Sequence, residues 1–217
     1  MDIKVCGLRQ PENLRQVVDL GVNYVGLIFY DRSPRFAAGE ELRAWLTANA
    51  DALANVRKVG VFVNAEVDYV LNTVHDYQLD LVQLHGEESP GYCRELQLLW
   101  SVSTLRSAGI VKAFRVTPEF DFDATAAYAD SCELFVFDTG GKSAHGGTGE
   151  QWNWDRLSEY RGTTPFLLSG GIGPEDGTAI RRLDHPQLAG LDLNSRFETA
   201  PGMKDEAVLE RFLAQLR

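Results

Sequence analysis

Two rhythms of apolar residues alternate along this chain from one end to the other. Short runs rich in β-branched and apolar residues fall at 3–6, 24–29, 58–63, 81–84, 110–114, 134–137, 166–169 and 188–193, and their length and composition predict strands. Between them the apolar residues recur at helical spacing, which predicts helices over 11–20, 40–48, 67–75, 92–105, 124–129, 154–160, 174–182 and 206–216. The first helix carries both boundary signals, Pro11 and Glu12 at its start and Gly21 at its stop. Sustained βα alternation is the pattern of a parallel sheet covered by helices. An open doubly wound sheet shares that pattern, but no G-x-G-x-x-G follows the first strand. The expected fold is therefore α/β, a single-domain (β/α)8 TIM barrel over residues 1–217.

Composition agrees with one such barrel: 217 residues, 44% apolar and 24% charged, with no Pro-, Gly- or Ser-rich linker dividing them. No apolar run approaches the ~20 residues that cross a bilayer. The first residues lead straight into a strand without a signal-like leader. Cys6, Cys93 and Cys132 form no CxxC pair, a usage that suits a reducing compartment. A cytoplasmic protein without a membrane partner is expected, as monomer or homodimer. The net charge of −10 argues against nucleic acid as well. That charge also repels anionic small molecules at long range, so a phosphorylated substrate must be held by local backbone N–H groups and a few arginines.

In a parallel barrel the chemistry gathers where the strands end. Cys6 closes the first strand beside Gly7, as a reactive thiol at the barrel mouth or as a small buried hydrophobe. Cys93 and Cys132, in a helix and in the loop before a strand, are expected to be buried hydrophobes. Asp138 closes the apolar sixth strand, where burial is expected to raise its pKa and keep it protonated for proton donation; otherwise it caps the next loop. Asp192 closes the eighth strand and either joins the site or braces a turn capped by Asn194 and Ser195.

Two loops offer phosphate-binding amides: Ser169-Gly170-Gly171-Ile172-Gly173-Pro174, and Leu193-Asn194-Ser195-Arg196. Both can instead be ordinary tight turns. The Gly-rich stretch 141–149, with Gly147, is a functional βα loop or a plain surface loop. Arg35, after Pro34, can clamp a planar carboxylate or lie in solvent. His85 closes the fourth strand as a ligand or acid/base, and no second histidine stands at metal-ligand spacing, so no metal site is expected.

Taken in order, Lys4-Val5-Cys6-Gly7-Leu8, Ser33-Pro34-Arg35, Val82-Gln83-Leu84-His85-Gly86, Phe137-Asp138 with Gly146-Gly147-Thr148-Gly149, Leu168-Ser169-Gly170-Gly171-Ile172 and Leu191-Asp192-Leu193 closely resemble the phosphoribosylanthranilate isomerase family. The resemblance spans nearly the whole chain. It implies a cofactor-free (β/α)8 barrel that converts N-(5-phosphoribosyl)anthranilate to the corresponding 1-deoxyribulose phosphate in tryptophan biosynthesis. It further implies Cys6 as general base, Asp138 as general acid and Arg35 as partner of the anthranilate carboxylate. Substrate contacts are expected at His85, Gly147, Gly170, Gly171, Asp192, Asn194, Ser195 and Arg196.

The chain departs from the pattern at Arg196, where many relatives have glycine, and in a lengthened segment over 96–109, read as distant from the chemistry. The histidine-pathway isomerase is a rival, but it wants an aspartate where Cys6 stands. It also wants a second glycine-rich phosphate loop where Val63-Asn64-Ala65-Glu66 supplies none. A bifunctional enzyme fails on the same two points. A non-catalytic barrel that senses a phosphorylated metabolite shares the fold but has no need of Cys6 paired with Asp138.

Overall fold

Eight strands, β1 (Asp2–Cys6), β2 (Tyr24–Ile28), β3 (Arg57–Phe62), β4 (Leu81–Leu84), β5 (Gly109–Val116), β6 (Leu134–Thr139), β7 (Phe166–Leu168) and β8 (Leu188–Leu193), pair in chain order and close into a barrel. Closure comes from parallel pairing of β8 with β1, which sets Lys4 against Asp192 and Val5 against Leu193. The computed structural model describes residues 1–139 and 151–216. Gly147 and the stretch around it lie outside the described residues.

Both faces of each strand are buried, which is why the strands read as apolar runs. One face looks into the barrel, where Val59, Leu81, Val111, Ala113, Leu134, Val136 and Leu167 form a cluster. The other packs on the helices through residues such as Ile3, Val5, Phe135 and Phe137. Followed upward, the inward series turns polar at the mouth: Lys4 and Cys6, Gln83 and His85, then Asp138, Ser169 and Asp192, all buried. β6 is anchored behind Asp138 by aromatic packing, with the Phe137 ring 4.9 Å from Phe166 and 5.2 Å from both Phe122 and Tyr160. Packing of this kind holds the carboxyl-bearing strand end in one place.

Among the described residues six α-helices cover the barrel: α1 (Pro11–Asp19), α2 (Glu40–Ala48), α3 (Val67–Asp76), α4 (Pro90–Val102), α5 (Gly177–Ile180) and α6 (Glu206–Leu216). α4 starts two residues earlier than its periodicity suggested, because Ser89 accepts the Tyr92 N–H (3.3 Å) and Pro90 takes the first turn. The expected helices over 124–129 and 154–160 are instead 3-10 turns, Phe122–Tyr128 and Trp154–Glu159. Asp121 and Asn153 accept the N–H two residues on (2.9 and 3.1 Å), a local bond that favours tight turns in segments too short for a cooperative α-helix. The expected 174–182 helix shrinks to α5, because Asp176 first takes the Gly173 N–H (2.6 Å).

After β8 comes an antiparallel hairpin that the sequence did not announce, β9 (Glu198–Ala200) with β10 (Met203–Lys204). At the other end of the barrel, Arg106 of the lengthened segment donates to the Leu79 carbonyl (3.0 Å) ahead of β4. The segment therefore lies opposite the mouth, and Cys93 and Cys132 are buried, both as expected.

Candidate active site

Cys6 is 5% exposed at the top of β1. The chain turns immediately after it, with the Gly7 and Leu8 N–H groups both on the Gly26 carbonyl (2.9 and 3.0 Å). Gly7 has φ +82, and a Cβ there would stand 2.7 Å from Arg35 Cδ and 2.8 Å from Asn194 Oδ1. Only glycine lets those two side chains come so close to the backbone just after Cys6. Burial pushes the thiol pKa up; Lys4 and Lys204 oppose the rise, and Asp192 adds to it. Lys4 itself is buried and donates to Asp192 Oδ2 at 2.8 Å. Burial works against its charge, but Asp192 and Cys6 outweigh burial and hold the ammonium above its ordinary range. Burial raises the Asp192 carboxyl against Lys4, and its Oδ1 is buried without a hydrogen-bond partner among the described residues.

Asp138, 7% exposed, overturns one expectation. Burial does push its carboxyl up, but the hydrogen bond and charge of His85, then the Thr139 N–H and the Ser169 hydroxyl, outweigh it and hold the group below the usual carboxylate range. His85 Nε2 lies 3.2 Å from Oδ2, while Thr139 N (2.8 Å) and Ser169 Oγ (3.2 Å) donate to Oδ1. Asp138 is therefore a carboxylate at rest, not the neutral acid that its apolar strand suggested. Nδ1 of His85 is in turn 2.9 Å from Gln83 Nε2. The loop behind His85 is fixed by Glu88, which accepts the Asn64 N–H (2.7 Å) and the Gly86 N–H (2.9 Å) and pairs with buried Lys112 (3.1 Å).

Arg35 is brought back over the mouth by a bridge between Ile28 and Phe36, and its N–H donates to Ser33 Oγ (3.1 Å). Its guanidinium is engaged: Nε and Nη2 donate to Glu198 at 2.7–3.0 Å. Glu198 also accepts from Lys204 Nζ (2.7 Å), which reaches Asn194 Oδ1 as well (2.8 Å). Two basic side chains thus share one carboxylate, and burial pulls the Lys204 ammonium below its ordinary range against the opposing pull of Glu198. The Nη1/Nη2 edge of Arg35 remains available for a second carboxylate.

The two candidate phosphate loops sit beside these groups. Gly170 and Gly171 have φ +93 and +68, and a Cβ on Gly170 would come 2.5 Å from the Thr139 nitrogen. Their N–H groups donate to no described residue. A helix dipole adds little, because α5 has four residues and the turn Ser195–Phe197 has three. Asn194 makes no side-chain cap on that turn, contrary to expectation. Arg196 neither lies loose in solvent nor is offered outright to a ligand: its Nη2 pairs with Glu175 of the neighbouring loop.

Lys4, Gln83, Glu198 and Lys204 complete the site, and none of them was singled out in the sequence. For Lys4 and Gln83 the signal existed: each stands two residues before an inward-facing group, Cys6 or His85, on the same strand. Glu198 and Lys204 had no comparable signal.

The family model described as N-(5′-phosphoribosyl)anthranilate isomerase matches residues 3–215. An N-(5′-phosphoribosyl)anthranilate isomerase of Parabacteroides distasonis is 44% identical over 100% of this chain and 93% of its own. The crystal structure of phosphoribosyl anthranilate isomerase from Thermotoga maritima superposes with a TM-score of 0.81 at 28% identity, over 100% of this chain and 98% of that one. Another, in complex with reduced 1-(o-carboxyphenylamino)-1-deoxyribulose 5-phosphate, gives 0.78 at 27% identity over the same shares. On the match of the whole chain to the family and to its curated members, the chain belongs to the N-(5′-phosphoribosyl)anthranilate isomerase family of tryptophan biosynthesis.

Proposed function

We propose that in this isomerase Asp138 is the general acid, Cys6 the general base and Arg35 the partner of the anthranilate carboxylate. The amides of Gly170, Gly171, Asn194 and Ser195 hold the phosphate in this reading. The observation that carries it is Asp192, which interacts electrostatically with Lys4 on one side and with Asp138 and His85 on the other. Thiol and carboxyl thereby belong to one continuous polar mouth.

The enzyme converts N-(5′-phosphoribosyl)anthranilate to the 1-deoxyribulose phosphate. Ring opening needs a proton on the ribose ring oxygen, which Asp138 delivers, and the anthranilate nitrogen then forms an iminium with C1′. That cation acidifies C2′–H and adds to Lys4 and Lys204 in favouring the Cys6 thiolate, which takes the proton. Asp192 Oδ1, which is buried and meets no hydrogen-bond partner among the described residues, accepts from a ribose hydroxyl. The rearrangement only relocates protons, so these side chains suffice. The net charge of −10 argues against a nucleic-acid partner, and the three free cysteines favour a reducing, cytoplasmic setting.

Turnover is followed by the loss of anthranilate fluorescence, and the carboxylate assignment is tested with Arg35→Ala. Binding of the anthranilate half weakens by about 2–5 kcal/mol, since the pair is largely desolvated, while a decarboxylated analogue is indifferent. An equal loss for the analogue would remove Arg35 from carboxylate recognition. Arg196 is tested differently, because it neutralises Glu175 beside the phosphate loop. Arg196→Gly raises KM roughly threefold to tenfold with kcat unchanged, and adding Glu175→Gln restores it. A double variant as weak as the single one would mean that the guanidinium binds phosphate directly.

A further inference from the structure

The acid assigned above is surrounded by donors. Asp138 receives bonds from Thr139, Ser169 and His85, an arrangement built for a carboxylate, whereas ring opening consumes a proton. We propose that this proton is stored on His85 and reaches the ring oxygen through Asp138, which makes His85 a positioning and proton-supplying residue of the reaction. The inference rests on Asp138 being the acid.

Three features carry it. First, His85 Nε2 faces Asp138 Oδ2 at 3.2 Å, with both side chains about nine-tenths buried, so a proton exchanges between them without solvent. Second, Nδ1 faces the Gln83 amide at 2.9 Å, and Gln83 Oε1 is buried with no partner of its own. Turned half-way, so that Oε1 accepts from Nδ1–H, the amide holds that proton in place both in the imidazolium and in the neutral ring left once Nε2 has given up its own. Third, the backbone on either side of His85 is clamped: its N–H lies on the Phe62 carbonyl (2.8 Å), and Lys112 Nζ holds the carbonyls of Leu84 (3.1 Å) and Gly86 (2.8 Å).

The charged groups around the pair are accounted for. Lys112 of β5 is taken up by Glu88, and Arg115, in register with Asp138, lies 3.8 Å from Glu87. Asp192 of β8 reaches the pair through its charge but is bound to Lys4, which also faces Cys6. Asp138 is thus the one carboxylate in direct contact with the His85 ring among the described residues.

The bookkeeping closes. The Nε2 proton passes to Asp138 and on to the ring oxygen as the C1′–O bond breaks and its electron pair settles on that oxygen; the nitrogen lone pair forms C1′=N. Cys6 takes the C2′ proton and returns it to C1′. When the C2′ hydroxyl becomes the ketone, its proton recharges Asp138 and His85, so each arm ends as it began.

The test is the pH profile of kcat/KM for His85→Gln, a side chain that still donates a hydrogen bond but holds no titrating proton. At pH 7 turnover falls about a hundredfold or more with little change in KM, and the loss shrinks as the pH is lowered, because Asp138 must then take its proton from solvent. Independently, His85→Ala regains turnover with added imidazole in proportion to imidazolium and not to the free base. A His85→Gln enzyme within threefold of wild type at pH 7, or weaker by the same factor at every pH, overturns the inference. Asp138→Asn separates the two readings: if it turns over normally the acid assignment fails, and if it is inactive while His85→Gln loses activity uniformly, only the role of His85 fails.

Discussion

Replacing Cys6 with serine lowers kcat by about a thousandfold and leaves the fold intact. Serine matches the thiol in size, so Gly7 and the turn after β1 are undisturbed. Its hydroxyl, however, has a proton affinity far above that of a thiol, and burial, which already raises Cys6, raises it further. Lys4 and Lys204 cannot offset both. The check is turnover by anthranilate fluorescence, with circular dichroism and product-analogue binding to verify the site. Near-normal turnover would take Cys6 out of the mechanism. In the wild type the thiolate fraction grows with pH, so the raised thiol moves the rising, base limb of the pH profile toward the alkaline side, against the falling limb of the acid.

Asp138→Asn is comparably inactive, by about a hundredfold to ten-thousandfold, yet still binds a reduced product analogue. Asparagine keeps the shape but cannot pass on a proton. Stability gives an independent reading. Because the folded carboxyl lies below its ordinary value, it contributes stability that is present above the unfolded carboxylate range and is lost as pH falls through the folded value. Wild type is therefore the more stable protein at neutral pH, and the gap to Asp138→Asn narrows on acidification in urea titrations. A variant that works at the wild-type rate would place the acid elsewhere; a gap that widens toward low pH would contradict a carboxylate held low by His85, Thr139 and Ser169.

Burial on both faces made all eight strands legible, since a strand between barrel and helices must be apolar throughout. Helices with a stripe of buried residues were equally visible, as in α3, where Val70, Leu71 and Val74 are buried. The 3-10 turns before β6 and β7 were not, because a single Asp121 or Asn153 side-chain bond outweighs weak periodicity in a short segment. The β9/β10 hairpin escaped for a similar reason: strands of three and two residues carry no alternation.

At the site the split has the same origin. Local chemistry in the chain determined that Cys6, Asp138, His85 and Asp192 end strands, and that Gly170-Gly171 opens a loop; a parallel barrel brings all such ends to one mouth. What those groups are at rest was decided by tertiary contacts alone. Asp138 is a carboxylate because His85, far away in sequence, donates to it. Arg35 shares its carboxylate partner with Lys204, 169 residues on by the numbering. Charge state depends on which dipoles and ions stand within a few ångströms in a site shielded from water, and no stretch of sequence states those distances before the barrel closes.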